Sequence, residues 1–170
     1  NPCSEIILRP FQFCNLSEVV VREGDTEEDL LDKVEAATIL GTMQSTLTNF
    51  KYLRRQWKDT TEKERLLGVS LTGIMDHKIL SGNIHNTAVL IQLLKSMKQK
   101  AIDVNKMWAK RFGINQATAI TCVKPSGTVS QLVNAASGIH ARHNDHYIRR
   151  VRGDKKDPLT QFLQTQNIPT

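Results

Sequence analysis

The chain has 170 residues, 39% of them hydrophobic and 24% charged, which allows one compact domain with a core and argues against a disordered segment. No apolar run approaches the ~20 residues needed to span a bilayer, and three cysteines, an odd number without close metal-type spacing, do not describe a disulfide framework. A net charge of +6 favours anionic partners, whether nucleotides, nucleic acid or acidic protein, without choosing among them.

A soluble, cytoplasmic protein with reduced thiols is the expectation. The opening on Asn1-Pro2-Cys3, with neither an initiator methionine nor a signal peptide, reads as a cut end. Glu5 to Leu8 and Leu16 to Arg22 are rich in β-branched residues and read as strands flanking a turn at Pro10 to Gln12. Thr26, followed by Glu27, Glu28 and Asp29, is a helix start with acidic residues at the positive end of the dipole. Leu30, Val34, Ala37, Leu40 and Leu47 then recur at helical spacing and predict a helix to about Phe50.

Arg65 to Ile74 is apolar, short and glycine-containing, and reads as a buried strand with close backbone neighbours. A long helix follows from about Ile84 to Phe112, with Val89, Leu93, Leu94, Met97, Ala101, Val104 and Trp108 as its apolar stripe and Gly113 as its stop. Ala117 to Val123 is a second buried-strand candidate that leads into Lys124-Pro-Ser-Gly-Thr-Val-Ser130 and a short helix from Val129. Tyr147 to Arg152 looks strand-like, and Asp157 with Pro158 opens a last helix to about Gln166. Strands separated by long helices point to an α/β fold with parallel strands. Basic residues crowd at Lys51 to Lys58, Lys95 to Lys110 and Arg142 to Lys156, the first two as the wet faces of amphipathic helices.

Three segments carry chemistry. In an extended Asn1-Pro-Cys-Ser-Glu-Ile6, residues i, i+2 and i+4 share a face, so Asn1, Cys3 and Glu5 would point into one pocket. No histidine base stands nearby, as a hydrolytic cysteine would want. Pro125 to Ser130 lies between a strand and a helix start, and its small hydroxyl residues and glycine suit either an anion cradle or a plain helix cap. His140, His143 and His146 recur at every third position, but the Gly138 context does not favour the helix that a metal site would use, and no metal is expected. Cys122 sits in an apolar pattern and reads as core.

Asn1-Pro2-Cys3-Ser4-Glu5-Ile6 resembles the Asn-Pro-Cys-Gly-Glu-Ile signature of the ribonucleotide reductase finger loop, and Phe13-Cys14-Asn15-Leu16 follows at the family interval. Arg65 to Ile74, Lys124 to Ser130 and Tyr147 to Arg152 are also family-like, so the resemblance runs in order along nearly the whole chain. It implies the second half of a ten-stranded α/β barrel with a central finger loop. Within that partial domain, residues 1–22 would be the finger loop, 26–113 a helix-strand-helix unit, 117–133 the phosphate-loop region and 137–168 a His/Arg-rich segment with the last helix. It further implies that Cys3 becomes the thiyl radical, Glu5 is the base on the 3′ hydroxyl, Asn1 holds the substrate and Cys14 is one of two reducing cysteines, its partner lying outside this chain. Ser126, Gly127, Thr128 and Ser130 would bind the substrate phosphates, with Lys124 adding charge. Ser4 departs from the usual glycine, which bears on the turn but removes no functional group.

The form of the finger loop at Pro2 and the Tyr147 to Arg152 segment point to the class II, adenosylcobalamin-dependent enzymes, closest to the monomeric triphosphate reductases. The expected partners are a ribonucleotide, a thioredoxin-type reductant and the rest of the barrel, with no membrane and no nucleic acid. The alternatives are a class I large-subunit fragment, an inactive complementing half of a split reductase, and a basic nucleic-acid module. Against the last stands an aromatic content of 5% with no stacking motif among the basic runs.

Overall fold

A computed structural model describes residues 6–83 and 86–168. Asn1, Cys3 and Glu5, the start of the first expected strand, and His85 lie outside the described residues.

The order is β1 (Asn15–Val20), α1 (Glu27–Gln44), α2 (Arg55–Glu64), β2 (Leu67–Thr72), a single 3-10 turn (Ile74–Asp76), α3 (Thr87–Phe112), α4 (Thr128–Leu132) and α5 (Pro158–Thr165). β1 and β2 pair in parallel, Asn15 opposite Leu67 through Val20 opposite Thr72. α1 packs on both strands and α3 packs on α1. The core lies between them, built from Val19 and Val21, Leu30, Val34 and Ala37 of α1, Val69 of β2, Leu80, and Leu93, Met97 and Ala101 of α3. The fold is α/β with parallel strands, as the alternation of apolar periods predicted.

α1 starts where expected. The Thr26 hydroxyl accepts from the Asp29 amide at 3.2 Å while the Asp29 carboxylate accepts from the Thr26 amide at 2.9 Å, a reciprocal capping box. It ends at Gln44, six residues before the expected Phe50, because Thr46, Thr48 and Asn49 turn the backbone back on itself. Its buried stripe also differs from the aliphatic one: Leu40 and Leu47 are exposed, whereas Thr38, Gly41 and Thr42 are buried. The hydroxyls of Thr38, Thr42 and Ser45 each donate at 2.7 Å to a carbonyl one turn back, which satisfies them inside the core.

β2 is buried along almost its full length, as its apolar, glycine-containing sequence requires. α3 ends at Gly113 as expected, though Val89 and Leu94 of its predicted stripe are exposed. Other expectations are corrected. Ile6 to Leu8 is irregular, and Tyr147 to Arg152 forms no strand among the described residues. Ala117 to Val123 runs beside β2, with the Leu67 and Val69 amides donating to the Ala119 and Ile120 carbonyls and the Cys122 amide to the Val69 carbonyl, but it registers only as the parallel bridge of Thr121 with Val69 and most of it is exposed. A strand needs a hydrogen-bonded neighbour, and for these segments the described residues supply one partner or none. The 26–113 unit also contains the additional helix α2.

Asn105, buried on α3, ties three elements together. Its side-chain amide donates to Thr42 Oγ1 at 3.0 Å and its carbonyl oxygen accepts from the Ala117 amide at 2.9 Å. The segment that leads to Lys124 is thereby anchored to both helices.

Candidate functional site

Cys14 is positioned by an aromatic clamp in front of β1. Phe13 stacks on Trp57 of α2 with ring centroids 4.7 Å apart and also meets Phe50 at 5.2 Å. Phe11 sits edge-on to Trp57 at 5.5 Å, with the Arg54 guanidinium 5.0 Å from its ring centre. Arg9 and Gln12 both bond the Glu64 carboxylate at the end of α2. Beyond Cys14, the backbone and side-chain amides of Asn15 both reach the Leu66 carbonyl, at 2.9 and 3.0 Å, which starts the ladder.

Gly68 faces this arm on the side of the sheet away from α1. A Cβ at Gly68 would lie 3.1 Å from the sulfurs of both Cys14 and Cys122 and would collide with Leu16. Glycine leaves room for this close approach, which a Cβ would fill unless the Leu16 side chain moved, and the two sulfurs lie within about 6 Å of one another, since each is 3.1 Å from the same point. Cys122 is half-buried rather than core. Because side chains alternate along an extended segment, it turns away from the helices and toward Cys14.

The loop at Ser126 is organised by a residue eleven positions downstream. The backbone amides of Ser126 and Gly127 converge on Ser137 Oγ at 3.1 and 3.3 Å. Gly127 adopts φ 57°, ψ −123°, a conformation that residues with a Cβ strongly avoid. Ser126 is 4% exposed, and its hydroxyl has no hydrogen-bond partner among the described residues. Such a group costs free energy unless a ligand or water completes it. Ser130 is fully buried and donates to the Gly127 carbonyl at 2.7 Å, so its hydroxyl braces the loop from behind. Thr128 is exposed at the first residue of α4, and the Lys124 ammonium donates to the Pro125 carbonyl at 3.0 Å.

Ser137 is held by the end of β2. Thr72, fully buried, donates to the Ala136 carbonyl at 2.9 Å and accepts from the Gly138 amide at 3.1 Å. Asp76, just beyond β2, accepts from the Ala136 amide at 2.8 Å and receives Arg142 through Nε at 2.8 Å and a terminal nitrogen at 3.1 Å. Burial works to raise the Asp76 pKa, but the Arg142 hydrogen bonds and the Ala136 amide outweigh it and hold the carboxyl below its ordinary value. The hydrogen bond that Arg142 donates to Asp76 correspondingly raises the pKa of Arg142.

On the other side of Ser137 a cleft of about 710 Å³ opens, walled by Arg142, His143, Tyr147, Arg149 and Arg150. Tyr147 donates to Gln131 of α4 at 2.9 Å and packs edge-on against His143 at 5.8 Å. His77 serves structure: its Nδ1 accepts from the Ile79 and Leu80 amides at 3.2 Å and its Nε2 lies 3.1 Å from the Asp25 carbonyl.

A 186-residue alignment covering 96% of the chain matches the adenosylcobalamin-dependent ribonucleoside-triphosphate reductase of Lactobacillus acidophilus at 28% identity. The chain is similar to the adenosylcobalamin-dependent ribonucleotide reductases. The corresponding reductase of Lactobacillus leichmannii is 26% identical, again over 96% of the chain. The chain spans about a quarter of the length of these relatives, 25% in both cases. A crystal structure of a B12-dependent (class II) ribonucleotide reductase superposes with a TM-score of 0.66, covering 82% of this chain and 22% of the reductase at 23% identity, so the fold is shared. No family model matches the chain.

Sequence reasoning brought Ser126, Gly127 and Cys14 forward, and all three lie in organised surroundings. It missed Ser137, Asp76 and the position of Cys122, whereas close neighbours were expected of the glycine-containing strand and are found at Gly68. Alternation along an extended Ala117 to Val123 could have signalled Cys122, because Thr121 toward the helices leaves Cys122 on the opposite face. Nothing in the sequence pairs Ser137 with an amide eleven residues earlier.

Proposed function

We propose that the chain is part of the catalytic barrel of a class II ribonucleotide reductase, acting in the thiyl-radical reduction of ribonucleotides to 2′-deoxyribonucleotides. The observation that carries this reading is the alignment over 96% of the chain to reductases of that name, with the parallel α/β fold they share. Cys3 is the radical thiol, Glu5 the base on the 3′ hydroxyl, Asn1 a substrate-binding amide and Cys14 one of the two reducing thiols. The aromatic clamp on Phe11 and Phe13 gives Cys14 the fixed backbone that such a thiol needs.

The converging amides of Ser126 and Gly127, together with the unsatisfied Ser126 hydroxyl, favour phosphate binding over a plain helix cap. Ser137 Oγ stands where an anionic oxygen would. Thr128, exposed at the rim, is a further phosphate contact, whereas Ser130 supports the loop through the Gly127 carbonyl. The two parallel strands and the bridged third segment are read as belonging to one half of the ten-stranded barrel.

When bound, adenosylcobalamin supplies the radical by homolysis of its cobalt–carbon bond. The apolar cleft between α1, α3 and Thr121 to Val123, about 450 Å³, has the size of an ordinary small-ligand pocket and is too small for a corrin with its adenosyl group. No described residue is therefore assigned to the cofactor, and its site is expected on the remainder of the barrel, along with the access route for a thioredoxin-type reductant.

The test is Cys3→Ser in the complete protein. Reduction of ribonucleoside triphosphate is expected to disappear with the circular dichroism spectrum unchanged, and retained turnover would remove the thiyl assignment. Hydrogen exchange at C5′ of the cofactor is expected with the unsubstituted protein, and its absence would count against any reductase role.

A further inference from the structure

The cleft beyond Ser137 is unexplained by the phosphate loop alone. Its wall carries three arginines and a histidine within nine residues, Arg142 to Arg150, against one carboxylate, Asp145. Arg142 is already neutralised by Asp76. Arg149 and Arg150 differ: both are exposed, and neither is ion-paired among the described residues. Neighbouring guanidiniums with no countercharge repel one another and raise the local anion concentration.

The cleft is continuous with the loop. Ser137 lines it and at the same time accepts from the Ser126 and Gly127 amides, so a phosphate that replaced Ser137 Oγ on those amides would stand at the cleft mouth. Tyr147, fixed through its hydroxyl to Gln131 of α4, holds the segment carrying Arg149 and Arg150 against the same helix that follows the loop. Planar guanidiniums take phosphate oxygens in pairs, and about 710 Å³ accommodates a chain of phosphates with the ribose attached.

We propose that Arg149 and Arg150 bind the outermost phosphate of a nucleoside triphosphate whose inner phosphate sits on the Ser126–Gly127 amides, and that they set the preference for triphosphate over diphosphate. The inference rests on the reading of this loop as the substrate-phosphate site. A diphosphate would occupy the loop and leave the two arginines empty, so the charge-assisted hydrogen bonds at the far end would be made by triphosphates alone. Duplex or single-stranded nucleic acid fits less well, because the arginines flank a concave wall with no base-stacking aromatic ladder beside it.

The experiment uses the complete protein and the double variant Arg149→Gln, Arg150→Gln, with Arg149→Lys, Arg150→Lys as a charge-conserving control. Both side chains are exposed, so folding should not suffer. In the double glutamine variant KM for ribonucleoside triphosphate is expected to rise at least about tenfold, with kcat and the diphosphate KM changed less than about twofold. The lysine control should recover part of the loss. Calorimetric binding of inorganic tripolyphosphate should weaken in parallel, whereas that of orthophosphate should not.

Equal effects on tri- and diphosphate, or no effect on either, would overturn the proposal while leaving the reductase reading intact if Cys3→Ser still abolishes turnover. Loss of DNA affinity without loss of tripolyphosphate binding would overturn it in favour of a nucleic-acid surface.

Discussion

Thr72→Val isolates one buried hydroxyl that positions the loop. Valine has nearly the same shape, so no cavity opens, but the Gly138 amide loses its acceptor at 3.1 Å and the Ala136 carbonyl loses one of its two donors. That carbonyl keeps the Gly73 amide at 2.7 Å, so one backbone N–H is left orphaned in the interior. An orphaned buried amide costs about 1–3 kcal/mol and the lost hydrogen bond about 1 more, so a destabilisation of about 2–3 kcal/mol is expected. Thr72→Ser keeps the hydroxyl and should cost about 1 kcal/mol, from the lost methyl alone.

The assay is hydrogen–deuterium exchange read by mass spectrometry over peptides spanning residues 134–140, paired with tripolyphosphate titration. Thr72→Val should speed exchange of the Gly138 amide by about 30-fold or more, since each 1.4 kcal/mol of local stability is a factor of ten. It should also change phosphate binding, because Ser137, whose Oγ holds the two amides that a phosphate would take, follows the moved backbone. Unchanged exchange in Thr72→Val, or a serine variant as damaged as the valine one, would refute the chain of reasoning from Thr72 through Ser137 to the loop.

Asp76→Asn should loosen Arg142 with a clear pH signature. The carboxyl is held below its ordinary 3.8, so its stabilising contribution is complete above that value and is lost as pH falls through the depressed one. Denaturant midpoints of parent and variant should differ at neutral pH and converge as the pH falls through the depressed value; a gap that persists in acid would contradict the assignment. Gly68→Ala should cost about 1–3 kcal/mol by overpacking and displace the Cys14 sulfur. The alkylation rate of Cys14, followed by mass, should change, and an unchanged rate with an unchanged midpoint would show that the close approach has no consequence.

Elements whose cause is local were legible in the sequence. The Thr26 capping box, the Gly113 stop, the Asp157-Pro158 start and the buried run from Leu67 to Thr72 each depend on neighbours within a few residues, and each stands where the pattern put it. Errors arose where a distant partner decides. Leu40 and Leu47 fit the helical period, yet the buried face of α1 runs through Thr38, Gly41 and Thr42, with Gly41 against Ser17 and Leu67 of the sheet and Thr42 against Asn105 of α3, and the threonine hydroxyls are satisfied by carbonyls of the helix itself. Tyr147 to Arg152 has strand composition without a strand neighbour. The resemblance brought the Ser126 loop forward, but not the amide-to-Ser137 geometry that links it to β2, because hydrogen bonds between backbone and side chain across a loop leave no periodic trace. Cys122 was misjudged for a related reason: an apolar neighbourhood says that a residue is in a sheet, and alternation alone says which face it occupies.

The sheet itself has a consequence for handling the protein. Among the described residues β1 is hydrogen-bonded on one side only, and beyond β2 the third segment, paired with it through the Ala119 and Ile120 carbonyls and the Cys122 amide, has no strand on its own far side. Both margins of the ladder therefore offer unpaired amides and carbonyls, and Leu16 and Val123 stand exposed beside them. Such margins are adhesive. The polypeptide is expected to seek closure from whatever strand is at hand, another copy of itself included.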